Sequence, residues 1–404
     1  MTLALICEGC VMNKGTLVFA QLSEHLPKAV FARGVSRYAG SYPALSFSHW
    51  DQLLCMLFAQ FTSRASLRDI TMCLRSHSAK LYRAGFRGGI ARSTLADANE
   101  RRDCRIFEEF ALHLIGLARV QYADDSLALE LEQTVYAIDA TNIDLCLSLF
   151  EWAPAANERA GIKVHTQLDL RGNIPTFILI TGSLVADAAF LDHLRLEAGS
   201  FYVMDRAYMH FARLIKFSQA GAFFVVRPRG NVHYVVIKPN EAELACDVLR
   251  DDYILMSGKH TQHDYPHVLR RIEFLDSTHD RILIFLTNSY ELSALQIAQL
   301  YKSRWQVELF FKWIKQNLRI KAFVGNSANA VKTQIWVAVC AYVLIAIIKK
   351  RLKVAVSIHS MLQVISVNLF ETTPLNDLFA GIPESDEIEA PKAQFSLFGE
   401  ISGQ

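Results

Sequence analysis

One change of hydrophobic period constrains this chain more than any other feature. From Phe47 to about Leu117 apolar residues recur every three or four positions, as in FSHWDQLLCMLFAQF, and SLRDITMCLRSH resumes that period after a break at Ser63. This is the period of helices that bury one face. Near Thr134 the period drops to two. TVYAIDAT, NIDLCLSLF, KVHTQLDLRG and IPTFILITG read as consecutive strands, with Arg171, Gly172 and Asn173 supplying a turn. A helical stretch DAAFLDHLRLEAG ending at Gly199, a strand FYVMD, a helix AYMHFARLIKFSQ and a strand FFVVRP follow. An all-helical unit ahead of a mixed α/β unit is expected.

Three strands, a helix, a strand and a helix is the arrangement of ribonuclease-H-like α/β domains, although other mixed sheets begin the same way. Residues 228–290 read mainly as β again, with NVHYVVIK, RRIEFL and RILIFLTN. Helices return from Leu292, including SALQIAQLYKSRWQVELFFKWIKQNL as one helix. In the helical unit, STLADANERRD opens on Ser93, a residue type suited to capping a first turn. Residues 335–348, IWVAVCAYVLIAII, form an apolar run short of the roughly 20 residues that span a bilayer. A buried core helix and no membrane partner are therefore expected. The division expected is a start extension over residues 1–12, a helical domain over 13–125, a catalytic domain over 130–380 with a β-rich insertion at about 228–290, and a loose tail over 381–404.

With 404 residues, of which 51% are hydrophobic and 20% charged, the chain can bury a large core and exceeds one average domain. Its net charge of +2 gives no general nucleic-acid signal, so any such affinity has to come from local clustering. Residues 1–123 carry 15 Lys/Arg against 9 Asp/Glu, concentrated between Arg64 and Arg105. The eight cysteines are scattered, and the CxxC of Cys7 and Cys10 has no second pair to complete a zinc site. A reducing cytoplasm is expected, with no secretory leader. The absence of a GxxxxGKS loop gives no reason to expect a nucleotide cofactor.

Asp139 closes the strand TVYAI and Asp205 closes FYVM. Neighbouring in one sheet, both carboxylates would project from the same edge toward a shared hard cation such as Mg²⁺. A third acid from a packed helix would hold a second ion, and Glu308 is the candidate. At 100° per residue Tyr301, Arg304, Glu308 and Lys315 fall within about 60° of one another, while Val307, Phe310, Phe311, Ile314 and Leu318 cluster on another side. A Glu with Arg at i−4 is also what an ordinary solvated helix face contains, worth only ~0.2–0.5 kcal/mol. Spacing leaves both readings open. His165, His193 and His210 are ordinary structural histidines on this pattern, and Asp144, Asp169 and Asp187 are lesser carboxylates near the same segments, Asp169 as a turn residue.

The spacing Tyr301-x2-Arg304-x3-Glu308-x6-Lys315 matches the YREK signature of bacterial insertion-sequence transposases of the DDE type. DAT at Asp139 and DRAY at Asp205 resemble that family's aspartate contexts, and LTN at Leu286 its next strand. LPKAVF at Leu26 and STLADANERRD at Ser93 resemble the N-terminal helical domain of one subgroup. The likeness covers roughly residues 13–380. It implies a ribonuclease-H-like core in which Asp139, Asp205 and Glu308 bind two Mg²⁺ ions, with Mn²⁺ able to substitute, for DNA strand cleavage and strand transfer. It implies Arg304 and Lys315 as phosphate contacts and Tyr301 as support for the bound end; Lys312, on the same helical face but outside the signature, is a further candidate. Arg64, Arg68, Arg92, Arg101 and Arg102, with Arg75, are candidates for reading terminal inverted repeats. Tyr234, Tyr253 or Tyr265 of the insertion are candidates to stack on a displaced base, with packing their commoner role. Partners implied are terminal-repeat and target DNA and a second copy of the chain in the DNA complex, in a bacterial cytoplasm at the nucleoid. The rival readings are an inactive or domesticated DNA-binding derivative and a ribonuclease-H-like nuclease without strand transfer.

Overall fold

Apolar period becomes structure first in seven N-terminal helices of a computed structural model that describes residues 15–40, 46–125, 131–145, 150, 152–153, 160–230, 232–240, 247–318 and 323–380. These are α1 Val18–Glu24, α2 Lys28–Tyr38, α3 His49–Phe61, α4 Leu67–Ser76, α5 Ser78–Leu81, α6 Arg92–Arg101 and α7 Arg105–Tyr122. Ser48 opens α3 with a reciprocal capping box to Asp51, and Ser63 ends its loop in a left-handed conformation (φ 50°). Ser93 does not cap α6: the N-cap is Ala91, without a side-chain bond, and Ser93 lies exposed inside the first turn. The expected start extension and tail, and Cys7, Cys10, Cys146 and Cys246, lie outside the described residues. Cys55, Cys73, Cys104 and Cys340 are free thiols.

The α/β part contains β1 Val135–Leu145, β2 Ala160–Asp169, β3 Ile174–Gly182, β4 Phe201–Met204, α8 Phe211–Gln219, β5 Phe223–Val226, β6 Tyr234–Pro239, β7 Val248–Met256, α9 Lys259–Asp264, β8 Leu269–Asp276 and β9 Arg281–Thr287. They form one nine-stranded sheet ordered β3-β2-β1-β4-β5-β9-β8-β7-β6. The β1·β4 and β4·β5 pairs are parallel and the rest antiparallel. The first five strands in that order are the ribonuclease-H-like core. Strands β6–β9 extend the same sheet through the β5·β9 pair, so the β-rich insertion is a continuation of the core sheet.

Two expected elements differ. TVYAIDAT and the start of NIDLCLSLF, as far as Leu145, form one strand, because β2 pairs with β1 without interruption from Tyr136 to Leu145. Asp139 therefore lies within a strand, at the point where pairing to the shorter β4 stops. The stretch from Asp187 is a single 3₁₀ segment, Asp187–His193. Its buried Phe190 and Leu191 are adjacent in sequence, so one turn seats both and no helical face is needed.

Helices α10 Ala294–Ser303, α11 Trp305–Leu318, α12 Ala328–Leu352, α13 Ile358–Asn368 and α14 Leu375–Leu378 close the fold. The apolar run seen as 14 residues is the middle of the 25-residue α12. That helix is long and apolar enough to cross a membrane, yet it is buried against α3, α7, α11, α13 and β3. Val135 and Ala137 face this helical body, while Tyr136 and Ile138 face the layer containing α8. The N-terminal helices and the sheet thus share one apolar core, and α12 is its centre. At the β2–β3 turn, Gly172 (φ +73°) lies so close to Tyr122 of α7 that a Cβ there would overlap the ring.

Candidate catalytic site

Strand register builds the site. Ile138 of β1 pairs with Met204 of β4, and Met204 with Val226 of β5, all parallel. One residue further along stand Asp139, within β1, and Asp205 and Arg227, just past the ends of β4 and β5, in a row across the sheet. Ligands of open α/β sheets bind at such ends, because the loops that leave the strands diverge there.

Asp139 accepts from its neighbour's amide, Ala140 N, at 2.8 Å through Oδ1. Its Oδ2 accepts from Arg304 Nη1 at 2.7 Å. The other arm of the same guanidinium, Nη2, donates to Glu308 Oε1 at 2.6 Å. Asp205 caps the short turn Arg206–Tyr208 by accepting from Ala207 N at 2.6 Å. Burial pushes the Asp139 carboxyl up to about 6; Arg304 pulls it down, and the charges of Asp205 and Glu308 add to the upward push. Burial lowers the proton affinity of Arg304, but Asp139, Tyr301 and Glu308 outweigh it and hold the guanidinium above its ordinary range. Tyr208 is buried beneath the site, pushed well up by burial and then by Asp139, Asp187 and Asp205, and its hydroxyl has no hydrogen-bond partner among the described residues.

The expected single helix is broken at Arg304. Arg304 N bonds Tyr301 O at 3.2 Å and Val307 N bonds Arg304 O at 3.0 Å, an i,i+3 tightening between α10 and α11. This turn aims Arg304 inward between the two carboxylates. Val307, Phe310, Phe311 and Ile314 are buried, as their spacing predicts. Tyr301 departs from the expected polar face. It is buried with its ring 4.8 Å from Phe285, so it supports the turn from below.

The remaining expected residues separate clearly. Lys315 is exposed, with Asp144 and Asp139 as its charged neighbours, and Lys312 is half-buried. Arg64, Arg68, Arg75 and Arg92 are exposed on the helical domain, and Arg101 is exposed beside Asp97 at 3.4 Å. Arg102 is engaged: it donates to Ser48 O at 2.9 Å and Gln52 Oε1 at 3.2 Å and lies over the Phe47 ring, which ties α6 to α3. His165 is fully buried against Phe190, Asp169 pairs with Arg171 at 3.0 Å, and Asp187 pairs with Lys163 at 2.8 Å. Tyr265 is core, its hydroxyl on Ser218 at 2.8 Å. Sequence reasoning missed Arg227 and Tyr208; the signal for Arg227 was its place one residue past FFVV, matching Asp205 one residue past FYVM.

The donor set is all carboxylate oxygen, which suits a hard divalent ion. Among the described residues no three acidic, His or Cys side chains stand close enough together to enclose an ion. The reason is visible: the Arg304 guanidinium sits between Asp139 and Glu308 and supplies the positive charge there.

The match to known families decides what this edge belongs to. Residues 130–344 match the model described as a transposase DDE domain. The chain is a DDE transposase. Residues 14–87 of the transposase match a domain of unknown function, DUF4372. A Sinorhizobium fredii protein named as a transposase, y4zB, is 34% identical over 281 residues, 69% of this chain and 77% of that protein. A Geobacillus stearothermophilus protein named as a transposase for insertion sequence element IS5377 is 29% identical over 219 residues. That match covers 54% of this chain and 57% of that protein. Among solved structures, a piggyBac transposase synaptic complex with hairpin DNA covers 93% of the transposase and 81% of its own chain, at 11% identity and a TM-score of 0.42.

Proposed function

We propose that this polynucleotidyl transferase binds the terminal inverted repeats of an insertion sequence, cleaves DNA at their ends and transfers the freed strand to target DNA. Asp139, Asp205 and Glu308 are the metal-binding carboxylates, and Arg304 and Lys315 hold phosphates near the reacting one. When bound, two divalent ions at this edge supply activation of a hydroxyl nucleophile and neutralisation of the leaving oxygen. The chain's own part is positioning. Asp139 and Asp205 are fixed by strand pairing and a capped turn, and α11 carries Glu308 over β1 on the same face. In the described arrangement Arg304 pairs with both Asp139 and Glu308. A phosphate entering between Arg304 and Lys315 draws the guanidinium outward and leaves both carboxylates free to ligate. The observation that carries the reading is the parallel register that sets Asp139 beside Asp205, with Glu308 joined to Asp139 through one guanidinium.

The exposed Arg64, Arg68, Arg75, Arg92 and Arg101 are the proposed face for the terminal repeat, within a helical domain of residues 13–125. A second copy of the chain joins in the DNA complex, since two ends have to meet one target. The test is cleavage of end-labelled DNA carrying the element's own terminus, with Mg²⁺ or Mn²⁺, by wild type and Glu308→Gln. Metal-dependent nicking at the end that vanishes in the variant is expected. Equal cleavage by both removes Glu308 as a ligand; binding without cleavage by either moves the chain to the DNA-binding reading.

A further inference from the structure

The β8–β9 end of the sheet contains a cavity of about 340 Å³ on the α8 side, lined by Arg227, Arg229, Arg271, Tyr234 and the apolar Ile282 and Leu286 among others. Its volume lies within the range of small-ligand sites. Arg271 is the telling residue. It is 6% exposed, its Nη2 donates to Glu273 Oε1 at 2.5 Å, and its Nη1 is buried with no hydrogen-bond partner among the described residues. A buried cationic donor left unmade is costly, so the site is built to receive an acceptor. Among the described residues Glu273 is the carboxylate that Arg271 bonds. Asp252, across from Arg271 in the β7·β8 register, is 3.8 Å from Arg250 and does not line the cavity. Counting Glu273 and the neighbouring Asp252, whose Oδ2 is buried without a hydrogen-bond partner among the described residues, three guanidiniums face two carboxylates and the net charge stays positive. The Arg271 guanidinium lies 5.1 Å from the centre of the Tyr234 ring, whose flat face forms a wall. Arg227 connects this cavity to the acidic row, since the β4·β5 register sets it beside Asp205.

We infer that this cavity binds a phosphate group, and specifically a backbone phosphate of the DNA strand that runs from the acidic edge past Arg227; the inference rests on the proposed DNA-cleaving role of that edge. Arg271 Nη1 and Arg227 hold the phosphate oxygens, Arg229 closes the exposed side, and Tyr234 backs the attached sugar.

The test measures binding of the full chain to a fluorescent duplex of the element's terminus across a potassium chloride series. Arg271→Gln is expected to weaken binding about tenfold and to flatten the slope of log affinity against log salt by about one. Arg227→Gln, at the cavity rim, is expected to shift the slope in the same direction and keeps the inference testable if melting curves show Arg271→Gln to be misfolded. A scan of single neutral methylphosphonate linkages should find one position that weakens wild type but leaves Arg271→Gln unchanged. Wild-type binding with unshifted slopes in both variants overturns the cavity assignment alone. Wild-type failure to bind the terminus at low salt overturns the reading of the acidic edge as well. Sodium phosphate that raises the melting temperature of wild type but not of Arg271→Gln, with DNA slopes unshifted, assigns the cavity to free phosphate instead and overturns the DNA assignment.

Discussion

The two halves of the nine-stranded sheet solve different problems. In the half β3-β2-β1-β4-β5, every residue of β2 is buried and both faces are covered. Its parallel pairing stops at Ile138, Met204 and Val226, and Asp139 and Asp205 stand one residue beyond. In the half β9-β8-β7-β6 all neighbours are antiparallel, and the last strand exposes Val235, Val236 and Ile237. Its charges are mostly cationic at the cavity, and its interior holds a buried ion pair, Arg270 with Asp251 at 2.6 Å, both 1% exposed. Closely spaced acids need a rigid backbone, because like charges repel and only fixed geometry keeps them convergent. A surface for a polyanion needs donors that extend from that frame. One sheet supplies both, and the boundary between acid and base falls at β5, where Arg227 succeeds Asp205.

The strongest break of this comparison removes an acid. Asp139→Asn is expected to lower metal-dependent end cleavage by about a thousandfold or more, on the scale of ~4 kcal/mol of transition-state stabilisation, while terminus affinity stays within a few-fold. Rate constants and binding isotherms on the same DNA check it; a variant that loses affinity and keeps its cleavage rate would place the chemistry elsewhere. In the other half the largest effect is on stability. Asp251 accepts from Arg270 Nε at 2.8 Å, from Arg270 Nη2 at 2.6 Å and from Asn240 at 2.9 Å. Asp251→Ala strands a buried guanidinium and is expected to cost about 3–5 kcal/mol in denaturant unfolding. A loss under ~1 kcal/mol would mean water reaches the pair.

What the sequence revealed follows from the same division. Asp205 was legible because a carboxylate after a short apolar run marks a strand end, Asp139 because it follows a similar run although its strand continues to Leu145, and Glu308 because helical spacing fixes its azimuth against Val307 and Phe310. Azimuth does not say what covers a residue. Tyr301 shares a helical face with Arg304 yet is buried on Phe285, a partner from β9 that no local pattern names. The break stands at Arg304, which bonds Asp139, 165 residues away, and is equally invisible locally. The length of α12 was undercounted because the apolar run stops at Gln334, whereas Thr333 and Gln334 are buried and Gln334 accepts from Val324 N at 3.0 Å. Arg227 and Arg271 become meaningful only once the registers of β4 with β5 and β8 with β9 are known.

The smallest expected effect sharpens the contrast from within the acid half. His165 on β2 is fully buried, stacked on Phe190 with Nε2 3.0 Å from Thr181 Oγ1, and Nδ1 has no hydrogen-bond partner among the described residues. Burial lowers its pKa from 6.5 to about 4; Lys163 and His193 push the same way, and Asp187 opposes them. The folded state therefore prefers the neutral ring, while the unfolded chain takes up a proton below pH 6.5. The stability contributed by the neutral ring is complete above pH 6.5 and falls as pH drops toward 4, by about 2 kcal/mol at pH 5. Replacing the ring with a non-titrating amide, His165→Gln, is expected to flatten the melting-temperature profile between pH 6.5 and 5, whatever it does to absolute stability. An unchanged slope would mean that the ring charges within the fold, and that the frame holding Asp139, whose β1 strand pairs Ala140 with His165, is open to water on that side.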